Sequence, residues 1–296
     1  MTEPRPYLPF RARLARRARI TPHLLRLTFA GEELRNCDSP GLDQRIKIVI
    51  GNLAALDGAT ADDWYTRCRE ADPAPVIRTY TVREARPDDA ELDVDVVDHG
   101  PVGPLSRFAL SADLGTEVVL VAPNRAVPGY EEVGVAWQPG ADRVLLVADE
   151  TALPAVINIL GSLPATVTGA AHVEVPTAAD AITDAPHPAG VTVHWHPRDD
   201  APPGSALLPE LSRALTGTDG PGRCNGFADR GSDDGADESD EAVLWEEAAD
   251  PGQVRAWVAG EAGMVKQCRP LLAAAGIDRS QASYMGYWKV GRAAVG

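Results

Sequence analysis

Apolar and polar residues alternate in short runs through the first half of the chain. Arg11, Arg13 and Arg19 interleave with Ala12, Leu14 and Ile20, and Leu25, Leu27 and Phe29 then alternate with Arg26 and Thr28. A period of two marks a half-buried strand. Read this way, the first half predicts strands over 11–20, 24–30, 45–50, 77–83, 92–97 and 117–121. Gly31, Pro40-Gly41, Pro87-Asp88-Asp89 and Gly115 separate them. Many short strands at this spacing predict an antiparallel barrel or sandwich. Residues 53–75 are expected to form a loop or short helix inserted between strands.

The pattern changes near Pro128–Pro139. Arg143 to Ala148 contains an unbroken apolar run, as expected for a strand buried on both faces. Val156, Ile157, Leu160 and Leu163 follow at helical spacing. Further strands are predicted over 169–175, 191–196 and 254–259, with helices around Leu207–Leu211 and 264–275. Strands alternating with helices imply a parallel α/β sheet. Two domains are therefore expected, 1–127 and 140–296, with no internal repeat.

Charge refines this division. The chain of 296 residues carries a formal charge of -15, from 28 basic and 43 acidic residues. Of these, 229–250 hold ten acidic residues and one Arg. Together with the Gly-, Asp- and Ser-rich run that precedes them, they predict a mobile acidic insertion over 217–250. The first 30 residues are opposite in sign, with seven Arg and one Glu, but their period fits a strand better than a transit helix. The overall acidity argues against nucleic acid as a partner, because phosphate contacts need basic surface. No apolar stretch is long enough for a membrane helix, and no apolar block near the start reads as a secretion signal. Cys37, Cys68, Cys224 and Cys268 are far apart with no C-x-x-C, which fits reduced thiols in a cytoplasmic protein.

Five segments could carry chemistry. In Arg78-Thr79-Tyr80-Thr81 the side chains alternate across a strand; Thr and Tyr are also ordinary strand formers. A guanidinium can nevertheless pair with a diphosphate, and an aromatic ring one step away can stack on a flat ring system. The run from Asp98 through His99 to Gly103, Pro104, Leu105 and Ser106 follows a strand and opens a helix, where free N–H groups attract anions. Asp149, Glu150 and Thr151 lie at the carboxyl end of a buried strand, where open α/β sheets bind ligands, and Thr151 is placed to cap the helix that follows. No G-x-G-x-x-G is present. Gly260 and Glu261 sit at another strand-to-helix turn, and the tail Tyr284 to Gly291 is aromatic with one cation, Lys289. His194 and His196 share a strand face at a spacing of two, which suits either a metal or a polar outer surface.

Taken in order, these segments resemble the siderophore-interacting proteins, FAD-containing ferric-siderophore reductases. The resemblance runs from about Arg13 to Arg292, apart from the insertion. It rests on Arg78-Thr-Tyr-Thr81, His99-Gly with Gly103-Pro-Leu-Ser-Arg107, Asp149-Glu-Thr-Ala-Leu-Pro154, Ala259-Gly-Glu261 and Gly286-Tyr-Trp288. It implies a six-stranded antiparallel flavin barrel followed by a parallel α/β nicotinamide domain, a ferredoxin-NADP reductase-like arrangement. It also implies an FAD site at Arg78, Thr79, Tyr80, Thr81, His99 and Gly103 to Ser106. A nicotinamide-nucleotide site is implied at Asp149, Glu150, Thr151, Gly260 and Glu261. Lys47, Arg125 and Lys289 are the implied cluster for an anionic ferric siderophore. Phe108 stands where the family usually has Trp, Pro123-Asn-Arg125 replaces a Gly-Pro-Arg run, and Lys289-Val290 replaces paired Arg.

The implied chemistry is passage of electrons from NADPH or NADH, or from ferredoxin as in some relatives, through FAD to ferric iron. No side-chain nucleophile, general base or resident metal is needed. Arg198 is the cation nearest to where a 2′-phosphate would sit, and Glu174 would favour NADH if it met the ribose. Two other readings stand beside this one: a siderophore carrier without turnover, and a flavin reductase serving a protein acceptor. The protein is expected to act as a cytoplasmic monomer.

Overall fold

The computed structural model describes residues 5–101, 103–217, 245–249 and 254–291. The chain divides between Val135 and Ala136 into two units.

The first unit is a closed antiparallel barrel. Its strands are β1 (Tyr7–Thr21), β2 (Leu24–Ala30), β3 (Arg45–Ile50), β4 (Val76–Arg86), β5 (Glu91–Val97) and β6 (Glu117–Pro123), in the order β1-β2-β5-β4-β3-β6. The long β1 closes the ring. Its first half, Tyr7–Arg13, pairs with β6, and its second half, with register shifts after Leu14 and Arg19, pairs with β2. Alternation sends Leu14, Leu27, Phe29, Ile46, Ile48 and Leu120 into the interior, where all are essentially fully buried. The arginines expected to face outward do so, and they meet carboxylates of β5. Arg26 is held by both oxygens of Asp95 at 2.7 and 2.9 Å, and Arg86 by Asp93 at 2.8 and 2.9 Å. Arg16 and Arg19 of β1 pair likewise with Glu91 and Asp98, so part of the amino-terminal positive charge is neutralised in the barrel wall.

Two helices complete the unit. Residues 53–75 hold a 3-10 turn, Leu53–Leu56, and helix α1 (Trp64–Glu70). They cover the outer apolar patch of Val49, Ile77, Val119 and Val121 with Leu56 and Cys68. Helix α2 (Pro104–Ser111) turns Leu105, Phe108 and Ala109 into the barrel core.

The second unit is a six-stranded sheet. In chain order it comprises β7 (Arg143–Ala148), α3 (Leu153–Ser162), β8 (Thr168–Val175), β9 (Val191–Pro197), α4 (Leu207–Thr216), β10 (Trp245–Glu246), β11 (Val254–Glu261), α5 (Ala262–Ala274) and β12 (Ala282–Trp288). The strand order is β10-β12-β11-β7-β8-β9. All pairs are parallel except β10 with β12. Leu145, Val147 and Val258 form one core with Leu211 of α4 and with Val265 and Leu272 of α5.

Two features of this unit lie outside the strand pattern read from the sequence. The aromatic tail is itself the parallel strand β12. Residues 245–249, placed in the expected insertion, belong to the fold: Trp245–Glu246 pair with β12, and the Ala248 N–H donates to Ser283 Oγ at 3.0 Å. The remainder of the acidic insertion, 218–244 and Asp250, lies outside the described residues, as does Cys224. No helix among the described residues is long and apolar enough to cross a membrane.

Candidate functional site

On β4, residues alternate as the strand period requires. Tyr80 points with Val76 and Val82 toward the barrel core, and its hydroxyl is pushed well above the usual phenol range by burial. Arg78 shares that parity. Its Nη1 donates to the carbonyl of Ile77 at 2.7 Å, and no carboxylate among the described residues neutralises it. Thr79 and Thr81 occupy the other face, Thr79 exposed and Thr81 buried.

Tyr80 and the buried side of α2 belong to one apolar cluster, so the barrel core brings the first two candidate segments together. Gly103 forms the N-cap of α2 with φ 92°, a conformation that favours glycine, and a Cβ there would meet nothing within 4 Å. The first helical bond runs from the Arg107 N–H to the Gly103 carbonyl at 3.2 Å. The Leu105 and Ser106 amides precede it, and Pro104 has no N–H to satisfy. His99 is exposed in the preceding turn. This region therefore offers a cation without a carboxylate partner, an aromatic ring, an open glycine corner and first-turn amides. That set fits the diphosphate and ring system of a flavin dinucleotide.

Of the three cations implied for substrate, two lie in the first unit. Lys47 is opposite Thr79 across the β3–β4 pair, and its ammonium donates to Thr79 Oγ1 at 2.6 Å. Burial, with Arg45 adding to it, lowers its pKa. Arg125 is exposed in the turn after β6, its backbone N–H held by the Asn36 carbonyl at 3.0 Å. Lys289 belongs to the second unit, immediately after β12.

In the second unit the strand ends are tied by carboxylates. Asp149 is fully buried. Its Oδ1 accepts the Thr151 N–H at 2.9 Å and the Thr151 hydroxyl at 2.5 Å. Its Oδ2 accepts the Glu261 N–H at 2.7 Å and Trp288 Nε1 at 2.8 Å. Burial first, and then the neighbouring Glu150, push its carboxyl up to about 6. Gly260 is bound to be glycine here: with φ 143°, its Cβ would lie 2.6 Å from Asp149 Cγ. Glu261, 7% exposed, caps α5 by accepting the Met264 N–H at 2.9 Å and accepts the Val290 N–H at 3.2 Å. Thr151, expected to cap α3, gives its hydroxyl to Asp149 instead, and α3 begins without a side-chain cap.

Several expectations about the nucleotide change accordingly. The carboxylates of Asp149 and Glu261 are spent on protein donors. Glu150 makes a bidentate pair with Arg198, both bonds 2.6 Å. Arg198 is therefore not an open cation for a 2′-phosphate. Glu174 does not reach toward a ribose: fully buried, it takes the amides of Gly204, Ala206 and Leu207 at 2.6, 3.0 and 3.2 Å and so holds the start of α4. Sequence reasoning could locate these acids at strand ends. It could not tell that their partners are backbone amides far along the chain.

His194 is exposed on β9, and His196 is half-buried beside β8. His172 Nδ1 of β8 lies 3.1 Å from His196 Nε2, with the rings 3° from parallel. Burial and the neighbouring imidazoles lower His172 to about 3, so one neutral ring donates to the other's lone pair. Among the described residues no three His, Cys, Asp or Glu side chains are grouped to hold a metal.

Comparison with known proteins accounts for both units. Residues 13–127 match a family model described as a siderophore-interacting FAD-binding domain, and residues 141–291 match one described as siderophore-interacting protein. The ferric vibriobactin reductase ViuB of Vibrio cholerae is 30% identical over 190 residues, 62% of this chain and 65% of that protein, so the match spans just under two thirds of the relative. The solved structure of a siderophore utilization protein from T. fusca is 27% identical with a TM-score of 0.71, covering 99% of this chain and 97% of that one. A ferredoxin reductase of carbazole 1,9a-dioxygenase, 14% identical, shares the fold with a TM-score of 0.57 over 96% of this chain and 70% of that one. The barrel-plus-α/β architecture and its likeness to ferredoxin reductases are therefore as expected.

Proposed function

The chain belongs to the siderophore-interacting proteins, and from that premise we propose that it reduces ferric siderophores with electrons drawn from a pyridine dinucleotide. The observation that carries the reading is that Tyr80, two residues from Arg78 on β4, and the helix that Gly103 caps pack on one apolar cluster, in the unit that matches the family's FAD-binding domain. FAD bound there supplies the conversion between a donor that gives two electrons and an iron that takes one. Each dinucleotide oxidised serves two ferric complexes and releases one proton.

The protein's own residues have simpler tasks. Arg78 and the first-turn amides of α2 meet the diphosphate, with Thr79, Thr81 and His99 completing the flavin contacts. Tyr80 presents its ring to the flavin. The strand ends at Asp149–Thr151 and Gly260–Glu261 shape the floor on which the nicotinamide nucleotide lies. Lys47, Arg125 and Lys289 each supply positive charge that attracts an anionic ferric complex. Reduction weakens the grip of hard oxygen donors on the iron, so release needs no protein ligand.

The dinucleotide in this reading is NADH. Between Arg143 and Arg198 the sequence has neither Lys nor Arg, and Arg198 is engaged by Glu150. Among the described residues, β8 and β9 themselves carry no Lys or Arg for a 2′-phosphate. Anaerobic mixing of the flavin-loaded protein with NADH, NADPH or reduced ferredoxin, followed by several ferric chelates, tests both statements. Rapid bleaching by NADH and reoxidation by a chelate support them. Bleaching by ferredoxin alone overturns the choice of donor, and a protein that takes up no FAD overturns the whole reading.

A further inference from the structure

We infer that Arg17 is a positioning residue for the flavin cradle: its guanidinium holds the far end of α2, the helix whose first-turn amides meet the diphosphate. The inference rests on the flavin site proposed above and adds to it a residue from the opposite end of that helix.

The arginine reaches α2 because β1 is irregular. Leu14 stands opposite Phe29 across the β1–β2 pair, but the next partners are Arg16 and Thr28, so Ala15 is an extra residue. Residues directly opposed in an antiparallel pair share a face. Arg17 stands opposite Leu27, which belongs to the same interior core as Leu105, Phe108 and Ala109 of α2. The bulge thus turns Arg17 toward the side where α2 packs. Without it, alternation from Leu14 would send Arg16 inward and Arg17 out. The two arginines differ accordingly. Arg16 is exposed and held by both oxygens of Glu91 at 2.6 Å. Arg17 is half-buried, its Nε is shut off from solvent, and its bonds go to carbonyls instead.

Those carbonyls end α2. Arg17 Nη2 donates to the Ala112 carbonyl at 2.6 Å and to the Phe108 carbonyl at 3.4 Å. Ala112 is the C-cap, and its N–H donates to the Phe108 carbonyl at 3.0 Å. The last carbonyls of a helix lack partners inside it and carry partial negative charge. A cation bonded to them complements an anion at the first-turn amides. The apolar side of α2 sets how deep the helix sits, but apolar contact is not directional and leaves it room to slide. The two bonds from Arg17 remove that freedom. A helix advances about 1.5 Å per residue. A slip of one step at the far end therefore carries Gly103 and the amides of Leu105 and Ser106 equally far from the diphosphate.

The test measures binding rather than turnover. FAD, and riboflavin, which keeps the ring but lacks the diphosphate, are titrated by fluorescence into the full-length apoprotein. The proteins compared are the wild type, Arg17→Gln, Arg17→Lys and Arg16→Gln. Arg17→Gln is expected to raise the Kd of FAD about three- to tenfold and to leave that of riboflavin within about twofold. Arg17→Lys keeps the charge on a single-point donor, and its FAD Kd is expected to fall between wild type and Arg17→Gln. Arg16→Gln removes the same charge one residue away and is expected to match the wild type.

Phosphorus NMR of bound FAD supplies a readout that a merely stabilising arginine would not move. The diphosphate resonances are expected to shift in Arg17→Gln and to stay in place in Arg16→Gln. Unchanged resonances with an unchanged ratio of FAD to riboflavin affinity, in a folded Arg17 variant, overturn the inference even where the urea midpoint falls. Equal losses on both ligands overturn it too. Where Arg17→Gln does not fold, Arg17→Lys decides by the same two readouts. A wild-type protein that takes up no FAD defeats the functional reading itself, whereas the other negative outcomes defeat only the role of Arg17.

Discussion

Trp288 Nε1 donates to Asp149 Oδ2 at 2.8 Å, although 139 positions separate the two residues. With the Glu261 amide on the same oxygen, the contact binds the carboxyl ends of β7, β11 and β12 into one knot. Parallel strands leave their last amides and carbonyls at a common edge, and a buried acid there can satisfy several donors at once.

That acid predicts a particular pH dependence. Burial raises the Asp149 carboxyl from the ordinary 3.8 of an aspartate to about 6. A folded-state pKa above the unfolded one contributes stability below about pH 4 that is lost as pH rises through 6. Acidification from pH 7.5 to 5 therefore adds a proton without lowering stability through this group. It converts an acceptor of four donors into a carboxylic acid that must itself donate. The thermal midpoint is expected to hold or increase as the pH falls from 7.5 to 5. A thermal midpoint that drops across this range speaks against a raised Asp149 carboxyl.

Arg78 offers a test of the flavin cradle. Its guanidinium makes one hydrogen bond among the described residues, to the adjacent Ile77 carbonyl, so Arg78→Ala removes little from the fold. A hydrogen bond to a charged group contributes about 1.5–3 kcal/mol. FAD affinity is expected to fall roughly ten- to hundredfold, measured by fluorescence titration of the apoprotein, with an unaltered far-UV spectrum. Retention of flavin at full affinity argues against the cradle.

Arg198 separates structural from nucleotide roles. Its side chain is 10% exposed and that of Glu150 4%, and the two form a bidentate pair. Arg198→Met strands a buried carboxylate, a change that costs about 3–5 kcal/mol. Urea denaturation should record that loss, and the ratio of NADH to NADPH turnover should not move. A selective loss of NADPH turnover would assign the guanidinium to the 2′-phosphate after all.

Gly260→Ala tests the crowding around Asp149. A methyl group 2.6 Å from Asp149 Cγ, on a backbone at φ 143°, has to displace the knot. A loss of about 2–4 kcal/mol is expected. Gly161→Ala makes a control, since a Cβ there meets nothing within 4 Å and alanine suits a helix better. Comparable stability of the two variants contradicts the crowding.

Much of this fold could be read from the sequence because its strands bury one face. Leu25, Leu27 and Phe29 alternate so regularly that β2 is predicted to its last residue. Strand β12 escaped because Ser283 to Gly286 are all buried, and an interior parallel strand with a glycine and a bulge has no period of two. Residue types at the candidate site were visible for the same reason as their positions, at strand ends beside glycines. Roles were not. Whether Glu174 meets a ribose or three amides of α4 depends on where a segment 30 or more residues later comes to rest.

The two-residue strand β10 has a bearing on how the protein behaves in a crowded solution. It occupies one margin of the sheet, with Glu246 pinned by Arg269 and Arg279 and Trp245 resting on Tyr287. A long bare margin would invite another chain to add strands and grow a fibril. Among the described residues β10 offers an incoming chain a foothold only two residues wide, and its side chains are already engaged, which makes it a poor seed for aggregation.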